Sequence, residues 1–453
     1  MRRIGTVLTS CLFLACGSSK DDQPIDADPG PDADVDANVD PSGDATVSTK
    51  AGVTGQPVGM AIADVELIST LPNGDMLATG KTDASGNATI KVYPGGTVTA
   101  VYRHTGTDMG ADLFTFVGVE PGDKLDFGQK LLFNGTGTNI GSQTYTWPTS
   151  PNGAVAGYRV LTACSTNLVL APNTTSPPLA EFSLCNKTPM RIVYAATTPS
   201  PATLANCGSR VVTFSAGATV GLPAWSNAVT ASGNLSGLPA SVTNVNVGMR
   251  VVLNDASEIS LAGGGPISGA PTGGAFTGNF QWCPDVGERT SARVDLRRPN
   301  SGVITVLDAL PASATSVTVS SPVVPPWVEP EFMTSTEMRS ASWKFADEGT
   351  NAHDAVYLQL QYQQQINNMS FLGRWHVVMP PGTQSVNLPK LPAAFDDFQA
   401  KPGVTLMFGR IYAIEVPTLT RYSELRALGM GFATCPDCAV RANEVQRVIT
   451  SGF

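Results

Sequence analysis

The sequence has little of what enzymes use for acid, base and nucleophilic chemistry. Its 453 residues include three histidines, at positions 104, 353 and 376. The His-Glu-x-x-His zinc motif, the Gly-x-Ser-x-Gly nucleophile elbow, the phosphate-binding glycine loop and the dinucleotide fingerprint are all missing. These absences exclude the enzyme classes that the motifs define. A catalytic triad assembled across a fold leaves no sequence signature, so a hydrolase remains an alternative.

Charge is scarce as well, since charged residues make up 14% of the chain. The formal net charge is −9, but residues 20–44 hold nine aspartates and one lysine. Without this segment and the two N-terminal arginines, the remaining body is close to neutral. Such a body has no basic excess to attract a phosphate backbone, so we expect no nucleic-acid partner.

The N-terminus lacks a long hydrophobic run. Residues 4–14 form a short apolar stretch after Arg2 and Arg3. A bilayer-spanning helix needs roughly 20 apolar residues, so this stretch is too short to be one. The basic residues, the short apolar run and the small Ala15 before Cys16 are typical of an export signal.

The segment resembles a bacterial lipoprotein signal. Residues 13–15 match its lipobox in part, because Phe13 stands where Leu is usual. The resemblance implies a signal peptide at 1–15 and a lipid on Cys16, with the membrane as the partner of that lipid. A second lipobox-like segment ends at Cys11, but only about seven residues separate it from the arginines, too few for a signal. Secretory cleavage without a lipid is the other alternative.

The residue after Cys16 is Gly17, not the Asp that retains many Gram-negative lipoproteins in the inner membrane. The sorting rule of the lipoprotein family therefore implies an exported, lipid-anchored protein of the outer membrane of a Gram-negative bacterium.

Residues 16–46 predict a disordered tether. Aspartate recurs at every second or third position of its acidic part, with few large apolar groups between. Such a segment repels itself and cannot offset its chain entropy by burial, so we expect it to stay extended and solvated. Weak calcium binding is an alternative, but an EF-hand loop from Asp36 would place Pro41 and Val47 where Gly and Glu are needed.

The body is rich in turn-forming residues, with 45 Gly and 34 Pro, and its apolar residues fall in short alternating runs. This pattern predicts an all-β fold of tandem antiparallel β-sandwich modules after the disordered acidic tether, with helix disfavoured throughout. The length exceeds what one core usually organises. We assign one sandwich to 47–130, one or two further sandwiches to 131–325, and a C-terminal sandwich to 326–453.

Residues 51–104 resemble the carboxypeptidase regulatory-like domain, a small immunoglobulin-like β-sandwich. The match is carried by a Gly-x-Pro start, an alternating strand and a Thr-Asp-x-x-Gly turn, at Gly55, Pro57, Thr82, Asp83 and Gly86. The resemblance implies a structural or adhesive module, because that domain has no catalytic residues of its own. A generic hairpin is the alternative source of the same string.

Further strands are predicted at residues 158–163, 191–196, 210–215, 251–253, 293–297, 303–307, 356–362, 375–379 and 406–416. The proline-rich segment 322–330 is typical of a stiff linker, which would leave Trp327 exposed. We expect a closing hairpin with Pro436 and Asp437 at its turn.

Six cysteines remain in the body after Cys11 and Cys16: Cys164, Cys185, Cys207, Cys283, Cys435 and Cys438. An even number in an exported protein predicts up to three disulfides, with 15 connectivities open. Proximity favours pairing Cys435 with Cys438. That Cys-x-x-Cys spacing also fits a redox or zinc site, but too few residues follow for a thioredoxin-like fold and no second ligand pair exists. We expect no metal and no cofactor.

The function most consistent with these features is non-catalytic, structural or adhesive, at the cell surface or in the periplasm, with a protein or glycan ligand left open. A carbohydrate-binding envelope protein is the first alternative, since tryptophans in a sandwich can stack on sugars. We expect most tryptophans to be buried in the cores instead, because tryptophan is highly buried on average. The six are Trp147, Trp225, Trp282, Trp327, Trp343 and Trp375. A hydrolase is the second alternative. Glu329 and Glu331 could mimic a glycosidase pair, but they flank Pro330 in the linker.

Replacing the lipidated cysteine tests the anchor. We expect the wild-type chain to sediment with membranes and Cys16→Ala to be released as soluble protein, because the variant lacks the lipid acceptor. Fractionation of cells expressing each chain measures this, with Cys11→Ala as the matched control that stays membrane-bound. A soluble wild type would show that the lipoprotein assignment is wrong.

Overall fold

The computed structural model describes residues 41–53, 60–104, 109–128, 130–131, 139–146, 148, 157–162, 168–170, 180–183, 190–198, 203–213, 215–253, 258–261, 266–299, 302–320, 325–329, 333–334, 339–346, 353–366, 369–402, 404–430 and 446–452. All of them belong to one compact unit, residues 41–453. The predicted signal, Cys16 and the tether up to residue 40 lie outside the described residues.

The strands of the first predicted module are β1 (Gly43–Ser48), β2 (Lys50–Val53), β3 (Met60–Ala61), β4 (Glu66–Thr70), β5 (Met76–Lys81), β6 (Asn87–Val92), β7 (Gly96–Arg103), β8 (Met109–Val119), β9 (Lys124–Asp126) and β10 (Lys130–Leu131), the last of which crosses its boundary. The middle of the chain contributes β11 (Asn139–Thr146), β12 (Gly157–Thr162), β13 (Leu168–Leu170), β14 (Ala180–Ser183), β15 (Met190–Thr197), β16 (Leu204–Val212), β17 (Thr219–Gly221), β18 (Ser226–Asn227), β19 (Val229–Ser236), β20 (Asn244–Val252), β21 (Glu258–Ile259), β22 (Ile267–Gly269), β23 (Phe276–Trp282), β24 (Arg289–Arg297), β25 (Val303–Pro311) and β26 (Ser316–Ser320).

The C-terminal part contributes β27 (Met333–Thr334), β28 (Ser340–Ser342), β29 (Ala355–Ile366), β30 (Met369–Met379), β31 (Ser385–Asn387), a 3-10 helix (Ala393–Phe398), β32 (Thr405–Glu415), α1 (Tyr422–Leu428) and β33 (Gln446–Gly452). The fold is all-β, as the sequence predicts. Most neighbouring strands are antiparallel, but β1 with β9, β2 with β10, β11 with β17, β19 with β26 and β8 with β30 run parallel.

A thirteen-stranded sheet, called the large sheet below, contains strands from all three predicted modules. Its order is β21-β20-β24-β25-β33-β32-β29-β30-β8-β7-β4-β5, with β22 paired to β20. The smaller sheets are β6-β1-β9, β10-β2-β3, β14-β11-β17, β13-β12-β15-β16-β18, β23-β19-β26 and β27-β28-β31. The boundaries drawn at residues 130 and 325 are therefore crossed by hydrogen-bonded strand pairs, which a reading of consecutive segments does not anticipate.

Both faces of the large sheet are covered by hydrophobic cores. On one face, one core joins its β20, β24 and β25 strands to β19, β23 and β26, and another joins β8, β29 and β30 to β28, β31 and the 3-10 helix. On the opposite face, a core joins β8, β29 and β32 to β1, β6, β9 and α1. The large sheet thus acts as the shared middle layer of several sandwiches.

The first module begins earlier than predicted. Strand β1 starts at Gly43, inside the segment assigned to the tether, because it is hydrogen-bonded to β6 and β9 and buries Ala45 and Val47. The predicted Thr-Asp-x-x-Gly segment does form a tight turn, in which the Gly86 amide donates to the Asp83 carbonyl oxygen over 2.9 Å. Gly86 has a φ of +70°, a left-handed conformation that favours glycine.

Two helices depart from the expectation that helix is disfavoured throughout. Helix α1 buries Leu425, and its end is closed by Gly429, whose φ is +97°. Its first turn is held by Glu424, which accepts the Thr420 amide over 2.8 Å. Of the helices in the described ranges, none has the length and apolar character needed to cross a membrane.

The prediction that Trp327 lies exposed in a linker is wrong, because the side chain is 1% exposed. Trp327 belongs to the core around β20 and β24, and Val328 belongs to the core around β29 and β30, so the segment passes between two cores. The Trp327 carbonyl accepts the Ala346 amide over 2.8 Å, and Arg298 stacks on its ring at 5.1 Å. Proline content is therefore compatible with a buried extended segment, since only its backbone conformation is restricted.

Cys207 and Cys283 form a disulfide with their Cα atoms 6.3 Å apart. It links β16 to the segment after β23 and closes a separation of 76 residues, a loop size for which a disulfide stabilises by about 4.5 kcal/mol. The other cysteines, Cys11, Cys16, Cys164, Cys185, Cys435 and Cys438, lie outside the described residues, as does the predicted closing hairpin.

Burial of Trp327 predicts a large effect of truncation. We expect Trp327→Ala to lower the free energy of unfolding by about 3–5 kcal/mol, because it leaves a cavity between two cores. Met333→Ala, at a nearby side chain that is 65% exposed, is the control and should stay within about 0.5 kcal/mol of wild type. Urea unfolding followed by circular dichroism measures both. Similar values for the two variants would contradict the burial of Trp327.

Candidate functional site

One face of the large sheet carries two of the three histidines and changes along its strands from buried to open. Residues of β8, β30, β29 and β32 on this face align in three cross-strand rows. In strand order the rows are Phe116, Val378, Tyr357, Tyr412; then Phe114, His376, Gln359, Arg410; then Asp112, Arg374, Gln361, Phe408. The first row is buried, the second is buried at one end and exposed at the other, and the third is half-buried.

Five rings, called the aromatic row, cross the buried part: Tyr102, Phe114, His376, Tyr357 and Tyr412. Consecutive ring centroids are 5.5, 4.5, 6.1 and 5.3 Å apart. His376 lies parallel between Phe114 and Tyr357, with interplanar angles of 3° and 4°. All except the half-buried Tyr102 are at most 7% exposed. The row is therefore core packing and not a platform on which a sugar ring can stack.

His376 is held as a neutral ring. Its Nδ1 lies 2.6 Å from the Tyr357 hydroxyl, so the two side chains share a hydrogen bond. Burial lowers the pKa of His376 to about 4, although the nearby Asp112 carboxylate opposes this shift. Burial also raises the pKa of Tyr357 well above its ordinary value. Because an acid–base catalyst needs a pKa near the working pH, neither group is suited to proton transfer at neutral pH.

Asp112 lies at the edge of the aromatic row and stays ionised. Its Oδ1 is 3.3 Å from Nε2 of His104 and 3.8 Å from Nε of Arg374. Burial raises the pKa of Asp112, but the contact with His104 and the charge of Arg374 outweigh it and lower the pKa overall. Gly110 makes room for His104, since a β-carbon there would overlap the Leu372 carbonyl oxygen and lie 2.6 Å from Nδ1 of His104.

The open part of the same face, called the open face below, consists of Gln359, Gln361, Arg374, Phe408 and Arg410. The Arg410 side chain is exposed and that of Arg374 is 40% exposed, while the others are half-buried. Little of their hydrogen-bonding capacity is used. Arg410 donates to the Tyr412 hydroxyl over 3.4 Å, and Gln361 lies 4.0 Å from the Met407 sulfur. The side-chain amide of Gln359 forms no hydrogen bond within the described ranges.

A β-bulge shapes the edge of the open face. The register of β29 and β32 shifts between Gln361 and Tyr362, which places Met407 beside Gln361 with 52% of its surface exposed. Next to it, the Arg410 guanidinium stacks over the Phe408 ring at 4.5 Å. The surface thus combines amides, guanidinium groups, a ring and a thioether. These groups can hydrogen-bond to and stack against a ligand, and they include no nucleophile.

A second titratable cluster lies where β29 begins and β32 ends. Asp354 accepts the Val416 amide over 2.8 Å, and its own amide donates to the Ile414 carbonyl, so it stands opposite Glu415. Burial raises the pKa of Asp354. Burial, followed by the charge of Asp354, raises the pKa of Glu415 to about 7. The sequence analysis did not single out this pair.

The residues that the sequence did single out are dispersed. His353 is buried against Phe345, and its Nε2 accepts the Gly382 amide over 2.7 Å. Glu329 pairs with Arg298 at 2.5 Å, and Glu331 lies outside the described residues. Among the tryptophans, Trp225 is half-buried, Trp147 lies outside the described residues, and four are buried: Trp282, Trp327, Trp343 and Trp375.

In the part of the chain that the structure covers, no three His, Cys, Asp or Glu side chains are grouped to hold a metal ion. The open face was missed because its signal is weak in sequence. Gln359 and Gln361 do alternate with buried residues of β29, but their partners Arg374, Phe408 and Arg410 come from strands whose register only the fold defines.

No protein-family model matches the chain, and no curated protein matches its sequence. Among solved structures it is similar to the Bacillus anthracis TIE protein, at 8% identity over 62% of this chain and 49% of that one, with a TM-score of 0.15. It is also similar to the pilus adhesin SpaC from Lactobacillus rhamnosus GG in its open conformation, at 7% identity over 76% of this chain and 44% of that one, with a TM-score of 0.15. The chain therefore aligns with less than half of either protein's length, and a TM-score of 0.15 does not define a shared topology.

The neutral, buried His376 predicts a specific pH dependence. Between pH 6.5 and about 4 the unfolded chain binds a proton at this histidine and the folded chain does not, so acidification lowers stability by on the order of 3 kcal/mol. His376→Gln should remove that loss. Urea unfolding at pH 7 and pH 4.5 measures the difference between variant and wild type.

Glu415→Gln is the matched comparison with the opposite sign. The folded Glu415 carboxyl holds its proton to a higher pH than the unfolded one, so wild type loses stability as the pH rises from about 4.5 to 7. The substitution should remove this second loss. An unchanged pH dependence in His376→Gln would contradict a buried neutral imidazole.

Proposed function

We propose that the protein is a non-catalytic, lipid-anchored envelope protein with a structural or adhesive role, and that the open face is its binding surface. One observation carries the proposal. Polar side chains with unused hydrogen-bonding capacity, Gln359, Gln361 and Arg410, stand together on an open sheet surface, while the titratable groups beside them are buried and fixed.

The structure of the face favours binding over catalysis. His376 is enclosed between two rings and has a pKa of about 4, and Tyr357 stays protonated at physiological pH. Asp112 is ionised and engaged with His104. The three titratable side chains therefore stabilise the sheet. The side chains of the open face beside them can contact a ligand but cannot transfer a proton at neutral pH.

The disulfide between Cys207 and Cys283 supports the exported part of the proposal. Disulfides persist in oxidising compartments and are rare where thiols are kept reduced. Lipidation of Cys16, the outer-membrane destination and the carboxypeptidase regulatory-like character of the first module remain proposals that rest on the sequence.

Two measurements test the proposed function. Protease shaving of intact cells should release fragments of the membrane-bound wild-type chain, as expected for a displayed adhesive protein. Protection from protease would contradict display and leave a structural role inside the envelope. Purified full-length protein should not hydrolyse ester, peptide or glycoside substrates, and hydrolysis that His376→Gln or His353→Gln abolishes would overturn the non-catalytic proposal.

A further inference from the structure

We propose that the open face binds an acidic polysaccharide, whose sugar residues carry carboxylate or sulfate groups. The inference rests on the proposed function, because it assigns a partner class to the same surface. The five side chains that carry it are Gln359, Gln361, Arg374, Phe408 and Arg410, with Met407 at the bulge beside them.

The geometry of the face suits an extended, flat ligand. Adjacent strands lie about 4.8 Å apart, so the open-face side chains on β30, β29 and β32 extend over about 10 Å across the strands. The cross-strand rows place Arg374, Gln361 and Phe408 in one line, and Gln359 with Arg410 in the next. A polysaccharide chain lying across the strands runs parallel to these two lines, so its successive sugar residues meet side chains of successive strands.

The chemistry of the side chains matches sugars. Each glutamine amide both donates and accepts hydrogen bonds, as the neighbouring hydroxyl groups of a sugar do. The exposed Met407 and the half-buried Phe408 supply an apolar surface for the C–H side of a ring. Arg410 is stacked over Phe408, which holds its planar guanidinium in a fixed orientation.

The charges favour an acidic partner over a neutral one. Within the described residues Arg410 has no carboxylate in ion-pair distance, whereas Arg374 forms a long ion pair, 3.8 Å from its Nε to Oδ1 of Asp112. A guanidinium group binds a carboxylate or sulfate through parallel hydrogen bonds that an isolated lysine cannot reproduce. Protein interfaces, in contrast, usually have cores depleted in charged residues, whereas two of the five side chains of this face are arginines, one on each side of the glutamines of β29.

Binding of detergent-solubilised, full-length protein to three polymers tests the inference. The probes are polygalacturonate, which carries carboxylates, dextran sulfate, which carries sulfates, and neutral dextran. We expect binding to one or both acidic polymers at low salt and at least tenfold weaker binding to dextran, roughly the effect of one charged hydrogen bond. Binding to polygalacturonate alone identifies carboxylate as the recognised group, and binding to both shows that either anion serves.

Matched variants locate the site. Arg410→Gln should weaken binding about tenfold and Arg374→Gln by a similar factor, with Phe408→Ala weakening it through lost stacking. The control is Arg297→Gln, which removes the same charge from an exposed position elsewhere on the large sheet. Melting temperatures identify any variant that fails to fold. If Arg374→Gln does not fold, the binding measured for Arg410→Gln, a substitution at an exposed side chain, still tests the inference.

Several outcomes would overturn the inference. These are equal binding to dextran, no binding to any of the three polymers, or equal losses in Arg297→Gln and Arg410→Gln. Adhesion of cells expressing each variant separates this failure from failure of the proposed function. If cells with Arg374→Gln and Arg410→Gln together adhere to abiotic or cellular surfaces as wild-type cells do, the adhesive role stands through another face while the polysaccharide site is lost.

Discussion

The parallel pairing of β8 with β30 is the constraint on which the rest of the fold depends. It joins residues more than 250 positions apart, from Phe371 opposite Met109 to Val378 opposite Phe116. Trp375 fixes the pair on one face by donating to Thr115 over 2.9 Å, and the single Tyr422 hydroxyl proton lies between the carbonyl oxygens of Val117 and Val378, one on each strand. Without this pairing, the open face would have no neighbouring strand on its β8 side.

The same pairing decides which side chains are chemically active. It places His376 beside Phe114 and Arg374 beside Asp112. Burial then keeps His376 neutral, and the basic neighbours keep Asp112 ionised. Along β29 toward Gln361 and along β32 toward Phe408 the covering core ends, and the polar residues there are left for solvent or a ligand. The aromatic row and the open face are thus the buried and the exposed parts of one continuous sheet surface.

Local features were predictable because they depend on neighbouring residues. Alternation from Val356 to Tyr362 predicted β29, although Tyr357, on the side expected to face solvent, is buried in the aromatic row. The turn at Asp83 was also found, since its chemistry is contained in five residues. Trp327 was wrongly placed in solvent, because proline content reports backbone restriction and not the packing of two cores around the segment. Helix α1 was missed for a related reason: tertiary burial of Leu425 stabilises a helix that its own seven residues would not.

By itself, the sequence determined the β-rich composition, the concentration of charge near the N-terminus and the strand periodicity, because each is a property of nearby residues. Only the tertiary structure decided which strands pair, which of the alternating faces is buried, and how Gln359, Arg374 and Arg410 come to share a surface. The physical reason is that strand pairing is non-local. A hydrogen-bonded ladder accepts many partners, and the choice among them is made by the cores that form on both faces at once.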